Sequence, residues 1–388
     1  MTRISFISTM GDTPWGGSEY LWAKTAEQAL SEGHEVFISI FDWSVSHPEL
    51  EKLRNQGALL LPRKRNQTLF SKAFSKLSQK FSFMRFLSFK SCYQKVFKCK
   101  PDVICISVGG CFDAIFLLDL LDLIYSNSIS YILVCQCNND SVILDDSSRH
   151  IARKFFNQAA AIVFVSYHNK KMAERQLAQC LPNAKVLQNP LNLTELTLVK
   201  FPPKLTVKFA NVARLDTSYK GQDILFEALS SVVWKERDWQ CNLYGSGLDE
   251  NYLHDLAEYY EIADKVNFLG YVNDIRAVWK NNHILLLPSR AEGTPLALVE
   301  AMICGRPAVV TDVGGNSEWV KEGLTGFIAE APTAKSFNQA LERAWLEQKN
   351  WELFGINAHE YAKSKLDKSP AKSLLQLIIN ATLQRSYN

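Results

Sequence analysis

Short runs of branched and aromatic residues recur along the chain, separated by stretches with helical spacing. Residues 4–8, 36–41, 58–61, 103–107, 131–135 and 161–165 are brief and apolar, which predicts buried strands. Between them, 18–31 and 167–179 place apolar residues three and four apart, and the first of these ends before Gly33, a helix stop. The second half repeats the scheme. It has strands at 205–210, 240–244, 266–269, 284–287 and 308–311, and helices at 223–233, 250–260, 295–304 and 334–348. Strands that alternate with helices run parallel, and both faces of their sheet are covered. Two such series, each near 190 residues, exceed one sheet, so the pattern predicts two doubly wound, Rossmann-like α/β domains. Asn189-Pro190-Leu191-Asn192 closes the first series and Phe201-Pro202-Pro203-Lys204 precedes the second, as suits a linker. The expected organisation is a domain over 1–195, a second over 196–360, and a helical tail over 361–388 that packs back on the first domain.

Composition adds exclusions. With 47% hydrophobic and 21% charged residues the chain is neither disordered nor fibrous. No run reaches the roughly 18–20 apolar residues that cross a bilayer, since Asp119 and Asp122 interrupt the most apolar stretch, 114–125. Residues 2–9 are too short and alternating for a secretion signal and read as the first strand. Nine cysteines without a Cys-x-x-Cys fit neither a zinc site nor a disulfide framework, and are expected as buried thiols in a reducing cytoplasm.

A net charge of +3 is no signature of nucleic-acid binding, but its distribution is uneven. From Arg63 to Lys100 there are eleven Lys and Arg and no acid. Helical spacing there puts Phe70, Phe74, Leu77, Phe81 and Met84 on one stripe, opposite Lys72, Lys76 and Lys80. Three readings stay open: docking on an anionic membrane surface, packing of the stripe on the first sheet, and a site for an anionic acceptor.

Open parallel sheets bind ligands beyond the carboxyl ends of their strands, and the candidate chemistry falls in such loops. After the strand ending at Leu287 comes Pro-Ser-Arg290-Ala-Glu292-Gly293-Thr294-Pro295-Leu296, then a helix through Glu300 to Gly305-Arg-Pro307. Thr294 is the expected N-cap and Pro295 the expected first helical residue. Two carboxylates there can accept hydrogen bonds from a polyhydroxylated ligand, beside a helix start that suits phosphate. The plainer reading makes Glu300 a helix residue and Glu292 a dipole partner. Yet Glu300 lies in Leu-Ala-Leu-Val-Glu-Ala-Met-Ile, apolar on nearly every side, where a carboxylate needs a partner. Arg214 and Lys220, in the loop after the first strand of the second series, are either solvated loop residues or a forked and a point-charged cation poised for an anionic group. Gly245-Ser246-Gly247, Gly270-Tyr271-Val272 and Gly16-Gly17-Ser18-Glu19 occupy equivalent loops.

Glu292-x7-Glu300 in its Pro-Ser-x-x-Glu-Gly and Glu-Ala-Met context resembles the donor-site signature of retaining glycosyltransferases of the GT-B fold, family 4. Val309-Val-Thr-Asp-Val-Gly314-Gly315-Asn-Ser-Glu318 and Gly323-Leu-Thr-Gly326-Phe continue the pattern. The resemblance implies a sugar moved from a nucleotide-diphosphate donor to a hydroxyl acceptor, with retention. It implies Glu292 at the sugar, Glu300 at the ribose, and Arg214 and Lys220 at the diphosphate. The backbones of Gly293, Thr294 and Leu296 would face sugar and diphosphate. Gly245 and Ser246 would lie near the nucleotide, Tyr271 and Val272 at the base, and Gly16 and Gly17 over the phosphates. Where family members often carry His at the end of the 131–135 strand, this chain has Gln136 and Asn138, which hydrogen-bond a sugar or acceptor but are no base. Asp140, Asp145 and Asp146 form no Asp-x-Asp, so no metal and no cofactor are expected, the nucleotide sugar being a co-substrate. The implied setting is cytoplasmic, at the inner face of a membrane, with a carbohydrate or lipid-linked acceptor in polysaccharide or glycolipid synthesis. A nucleotide-sugar epimerase on the same fold and a non-catalytic nucleotide-sugar binder are the alternatives.

Overall fold

The computed structural model describes residues 1–11, 13–43, 46–64, 91–203 and 206–384. Lys72, Phe74, Lys76, Lys80 and Phe81, the residues of the membrane reading, lie outside the described residues. The strands assemble into two sheets in which every recorded pairing is parallel. The first holds β1 (Arg3–Ser8), β2 (Glu35–Ser39), β3 (Leu59–Leu60), β4 (Val103–Gly110), β5 (Ser130–Cys137), β6 (Ala161–Phe164) and β7 (Ala184–Val186). Their order is β3-β2-β1-β4-β5-β6-β7. The second holds β8 (Val207–Val212), β9 (Trp239–Tyr244), β10 (Val266–Phe268), β11 (Ile284–Leu287), β12 (Ala308–Thr311) and β13 (Gly326–Ala329), in the order β10-β9-β8-β11-β12-β13. In each sheet the order reverses beside the first strand, between β1 and β4 and between β8 and β11, which leaves a crevice at the carboxyl edge.

Burial on both faces explains the apolar runs. Ile104, Ile106, Leu133 and Phe164 face one side of the first sheet with Phe155, while Ile4, Phe6, Ile132 and Val134 face the other with Trp22. That second face is completed from the far end of the chain. Helix Pro370–Gln384 lays Leu374, Leu375, Ile378 and Ala381 into it beside helix Glu19–Ser31. Thr25 Oγ1 donates to the Ala371 carbonyl at 3.3 Å and Ser130 Oγ to the Ala381 carbonyl at 3.0 Å. The preceding helix, Trp351–Lys365, packs instead on helix Leu296–Ile303 of the second half.

The chain therefore passes between the halves twice, and Gln188 joins the two passages. Its Nε2 donates to the Lys365 carbonyl at 2.9 Å and its Oε1 accepts from the Asp367 N–H at 2.7 Å. The linker is fixed to the second half by Arg306, whose buried guanidinium donates to the carbonyls of Val199, Lys200, Asn282, Cys304, Gly305 and Trp279. Burial pulls its pKa down to about 10, offset only in part by Cys304 and Glu352.

Three expectations are corrected. The helix after Glu292 begins at Leu296 with Pro295 as its cap, because the Thr294 hydroxyl donates across to the Val165 carbonyl at 2.7 Å instead of capping. The helix expected over 223–233 breaks into Gln222–Leu229 and Val232–Glu236. All nine cysteines are free thiols, but five are buried, while Cys92 and Cys180 are exposed.

Candidate functional site

The loops at the carboxyl edges of the two sheets meet. Asn138, just past β5, forms an antiparallel bridge with Glu292, just past β11. Gly293 runs so close to β5 that a Cβ there would lie 2.0 Å from the Gln136 carbonyl oxygen and 2.7 Å from Val165 Cγ2. Gly314 is pressed likewise on the Glu292 carbonyl, and the Gly315 N–H donates to the Gly293 carbonyl at 2.6 Å. Glycine is required here by close approach of backbones.

Glu292 stands at this seam, 5% exposed. Its Oε1 accepts from Lys220 Nζ at 2.8 Å and from Ser289 Oγ at 2.7 Å, and its carbonyl from Asn169 Nδ2 of the first half at 3.0 Å. Lys220 ends the turn Thr217–Lys220 that follows β8, and Arg214, before that turn, pairs with Asp216 at 2.8 Å. Lys220 and Glu292 thus meet from loops after the adjacent strands β8 and β11, and Arg214 lies in the first of these loops.

Glu300 is carried by helix Leu296–Ile303 and is buried. Burial pushes its pKa up to about 7, offset in part by a bond from the Asn192 backbone. The partner that its apolar surroundings demanded is thus a peptide group and not a cation, and protonation meets the rest of the cost. Tyr20, whose phenol is raised by burial first, also feels Tyr271 and Glu300, so the first half contributes a side chain near that carboxyl. Gly17 reaches the same helix start, where a Cβ would meet Leu296 Cδ1 at 3.0 Å. Gly16 precedes it in the loop and its carbonyl accepts the Glu19 N–H at 3.0 Å.

The loops after β8, β9 and β10 are joined backbone to backbone. The Gly245 N–H donates to the Gly270 carbonyl at 2.8 Å and the Leu215 N–H to the Ser246 carbonyl at 3.1 Å. A Cβ on Gly245 would lie 2.0 Å from the Ala213 carbonyl oxygen. Tyr271 follows, 73% exposed, while Val272 is partly buried against the second core.

On the first half, Gln136 and Asn138 are both buried. Gln136 Oε1 accepts from Asn189 Nδ2 at 2.9 Å while its Nε2 has no partner among the described residues. Asn138 Nδ2 donates to Gln176 Oε1 at 2.8 Å, so that side chain supports the loop. Cys137 lies between them with its thiol pushed up to about 12 by burial and by Glu292. Sequence reasoning missed His168, which bonds Asp140 at 2.8 Å and whose backbone N–H donates to Glu318 Oε1 at 2.9 Å. The Asp140 bond raises the His168 pKa. No sequence signal pairs residues so far apart. Among the described residues no group of three or more His, Cys, Asp or Glu could hold a metal ion, and no helix is long and apolar enough to cross a membrane.

Residues 200–361, which carry most of this geometry, match the family model of glycosyl transferases group 1. An uncharacterized glycosyltransferase of Haemophilus influenzae is 34% identical over 126 residues, 32% of this chain and 36% of the relative. One component of the human phosphatidylinositol N-acetylglucosaminyltransferase is 31% identical over 194 residues, 50% of this chain and 40% of the relative. These matches span about two fifths or less of the relatives' own lengths. The fold matches throughout: the Anabaena protein HepE, solved in complex with UDP-glucose, superposes with a TM-score of 0.71 at 16% identity, over 98% of this chain and 100% of that one.

Proposed function

We propose that the protein is a retaining, metal-independent glycosyltransferase using a nucleotide-diphosphate sugar, a reading supported by the match of residues 200–361 to glycosyl transferases group 1 and by the GT-B fold of the chain. The observation that carries this reading is the Lys220–Glu292 pair, 2.8 Å apart in the crevice between the sheets. An incoming diphosphate offers Lys220 and Arg214 a doubly charged acceptor, and Glu292, released from the lysine, accepts from the sugar hydroxyls. Glu300 takes the ribose hydroxyls. The loops of Gly16, Gly17, Gly245 and Ser246 lie against the phosphates and nucleoside, the Gly293, Thr294 and Leu296 backbones face sugar and diphosphate, and Tyr271 and Val272 border the base. The bond from the anomeric carbon to phosphate breaks as the acceptor oxygen bonds to that carbon on the same face, and the acceptor proton passes to the departing phosphate. Cations fixed at the leaving group stabilise the charge that develops there. Gln136, whose Nε2 lacks a partner among the described residues, serves the acceptor side; Asn138 holds the loop beneath it.

A lipid-linked acceptor at the inner face of a membrane fits the basic, aromatic stretch around Lys72, Lys76 and Lys80, and the human relative, named for its action on phosphatidylinositol, supports it. Flotation with anionic liposomes, lost on Lys72/Lys76/Lys80→Glu, tests this part; equal flotation refutes it.

The transfer reading is tested with a panel of UDP-, GDP- and ADP-sugars, by thermal shift and then nucleotide release, beside Lys220→Ala and Glu292→Ala. One donor should stabilise the wild type and be slowly hydrolysed, with both effects lost in Lys220→Ala. No shift with any donor overturns the reading.

A further inference from the structure

We propose that Arg290 and Asp223 act as a positioning pair that holds the Lys220 turn against the Glu292 loop; this rests on the transferase reading above. Arg290 lies two residues before Glu292, and Asp223 three after Lys220, in the first turn of helix Gln222–Leu229. The Arg290 fork donates to Asp223 Oδ1 at 2.6 Å and Oδ2 at 2.7 Å, and its Nη1 also to the Thr217 carbonyl at 2.7 Å. Its backbone N–H donates to the Tyr219 carbonyl at 2.8 Å. One residue thereby grips both ends of the turn that presents Lys220.

The contact has no slack. Gly221, at φ +65°, passes so near the other loop that a Cβ would lie 2.2 Å from the Pro288 carbonyl oxygen. With the backbones already touching, the guanidinium decides the angle of the turn, because a planar fork bonded to both carboxylate oxygens fixes orientation as well as distance. In this setting of the turn Lys220 Nζ reaches Glu292 Oε1 at 2.8 Å. Neither Arg290 nor Asp223 needs to touch the donor. Their effect falls on the alignment of a cation with the leaving group, where a shift of about 1 Å can cost about a hundredfold in rate.

The test uses Asp223→Asn, which keeps size and one acceptor oxygen, Arg290→Gln, and the double variant, all in the full chain. Each single variant should lower kcat for donor turnover at least tenfold, with the donor KM within about threefold, since ribose and base contacts are untouched. The double variant should lose no more than the worse single, as expected of one shared interaction. A kcat within twofold of wild type, or losses that multiply in the double, overturns the proposal. Amide hydrogen exchange over 214–223, read with no donor present, should quicken at least tenfold in each variant, and unchanged exchange also overturns it. Because that arm needs no turnover, a wild type that hydrolyses no donor refutes the transferase reading while exchange still decides the positioning.

Discussion

At Glu300 a carboxyl group buried in an apolar helix meets the cost of burial chiefly by keeping its proton. Its pKa rises from 4.5 to about 7 on folding, so the folded state binds the proton more tightly than the unfolded chain. The stability linked to this group is therefore intact below about pH 4.5 and is lost as pH rises through 7, by about 3 kcal/mol at the top of the window. Glu300→Gln should unfold several degrees above wild type at pH 8 and level with it near pH 4.5. Thermal unfolding across that range checks this, and coincident curves at pH 8 contradict it. Lys220 presents the converse case. Lys220→Ala strands the Glu292 carboxylate, whose side chain is 6% exposed, with Ser289 as its remaining side-chain donor. That should cost about 1–3 kcal/mol, and Glu292→Gln added to it should restore most of the loss in a denaturant titration.

Among the elements, the loop of residues 291–295 is held by backbone contacts that no side chain can relieve. Gly293→Ala forces a methyl into the Gln136 carbonyl and Val165, so it should destabilise by about 2 kcal/mol or more and loosen the loop from β5. Gly270→Ala is the control: its φ is +67° but nothing lies within 4 Å of an added Cβ, so it should cost only about 1 kcal/mol. Equal unfolding midpoints for the two would refute the steric account. The same loop shows what was legible in advance. The strands could be read because parallel strands are apolar on both faces, although β7, whose Ala-Lys-Val is broken by a lysine, and β13, which opens on Gly326, escaped. The run from Arg290 to Glu300 was placed correctly after a strand. Its true helix start was not, because the Thr294 hydroxyl is taken by Val165, a partner 129 residues away. Arg290 was in plain view, but its partner Asp223 emerges only when two loops fold together.

For the molecule as a whole, the chain's last helix is a wall of its first sheet. A chain ending at residue 366 would uncover Trp22, Ile4 and Phe6 on one side of that sheet, since Leu374, Leu375 and Ile378 cover them. Such a truncation should lose cooperative unfolding of the first half and bind a hydrophobic dye, while the core around Trp234 and Trp239, which takes nothing from that helix, persists. Protease digestion that leaves both halves equally resistant would refute this. A helical tail over 361–388 returning to the first domain was expected from the sequence; the residues it covers, more than 300 positions earlier, were not.

The two passages of chain between the halves are tied together at Gln188, by bonds to Lys365 and Asp367. Two bodies joined at two neighbouring points turn as a door does on one hinge pin: they can swing, but an independent slide or twist has to break the tie first. The links across the crevice from Asn169 to Glu292 and from Thr294 to Val165 lie on the edge of that door away from the pin, where any swing would break them first. Opening it would unlatch the loop of Glu292 from the first half while leaving Lys220 and Glu292 together on one leaf, so the charged pair would travel intact.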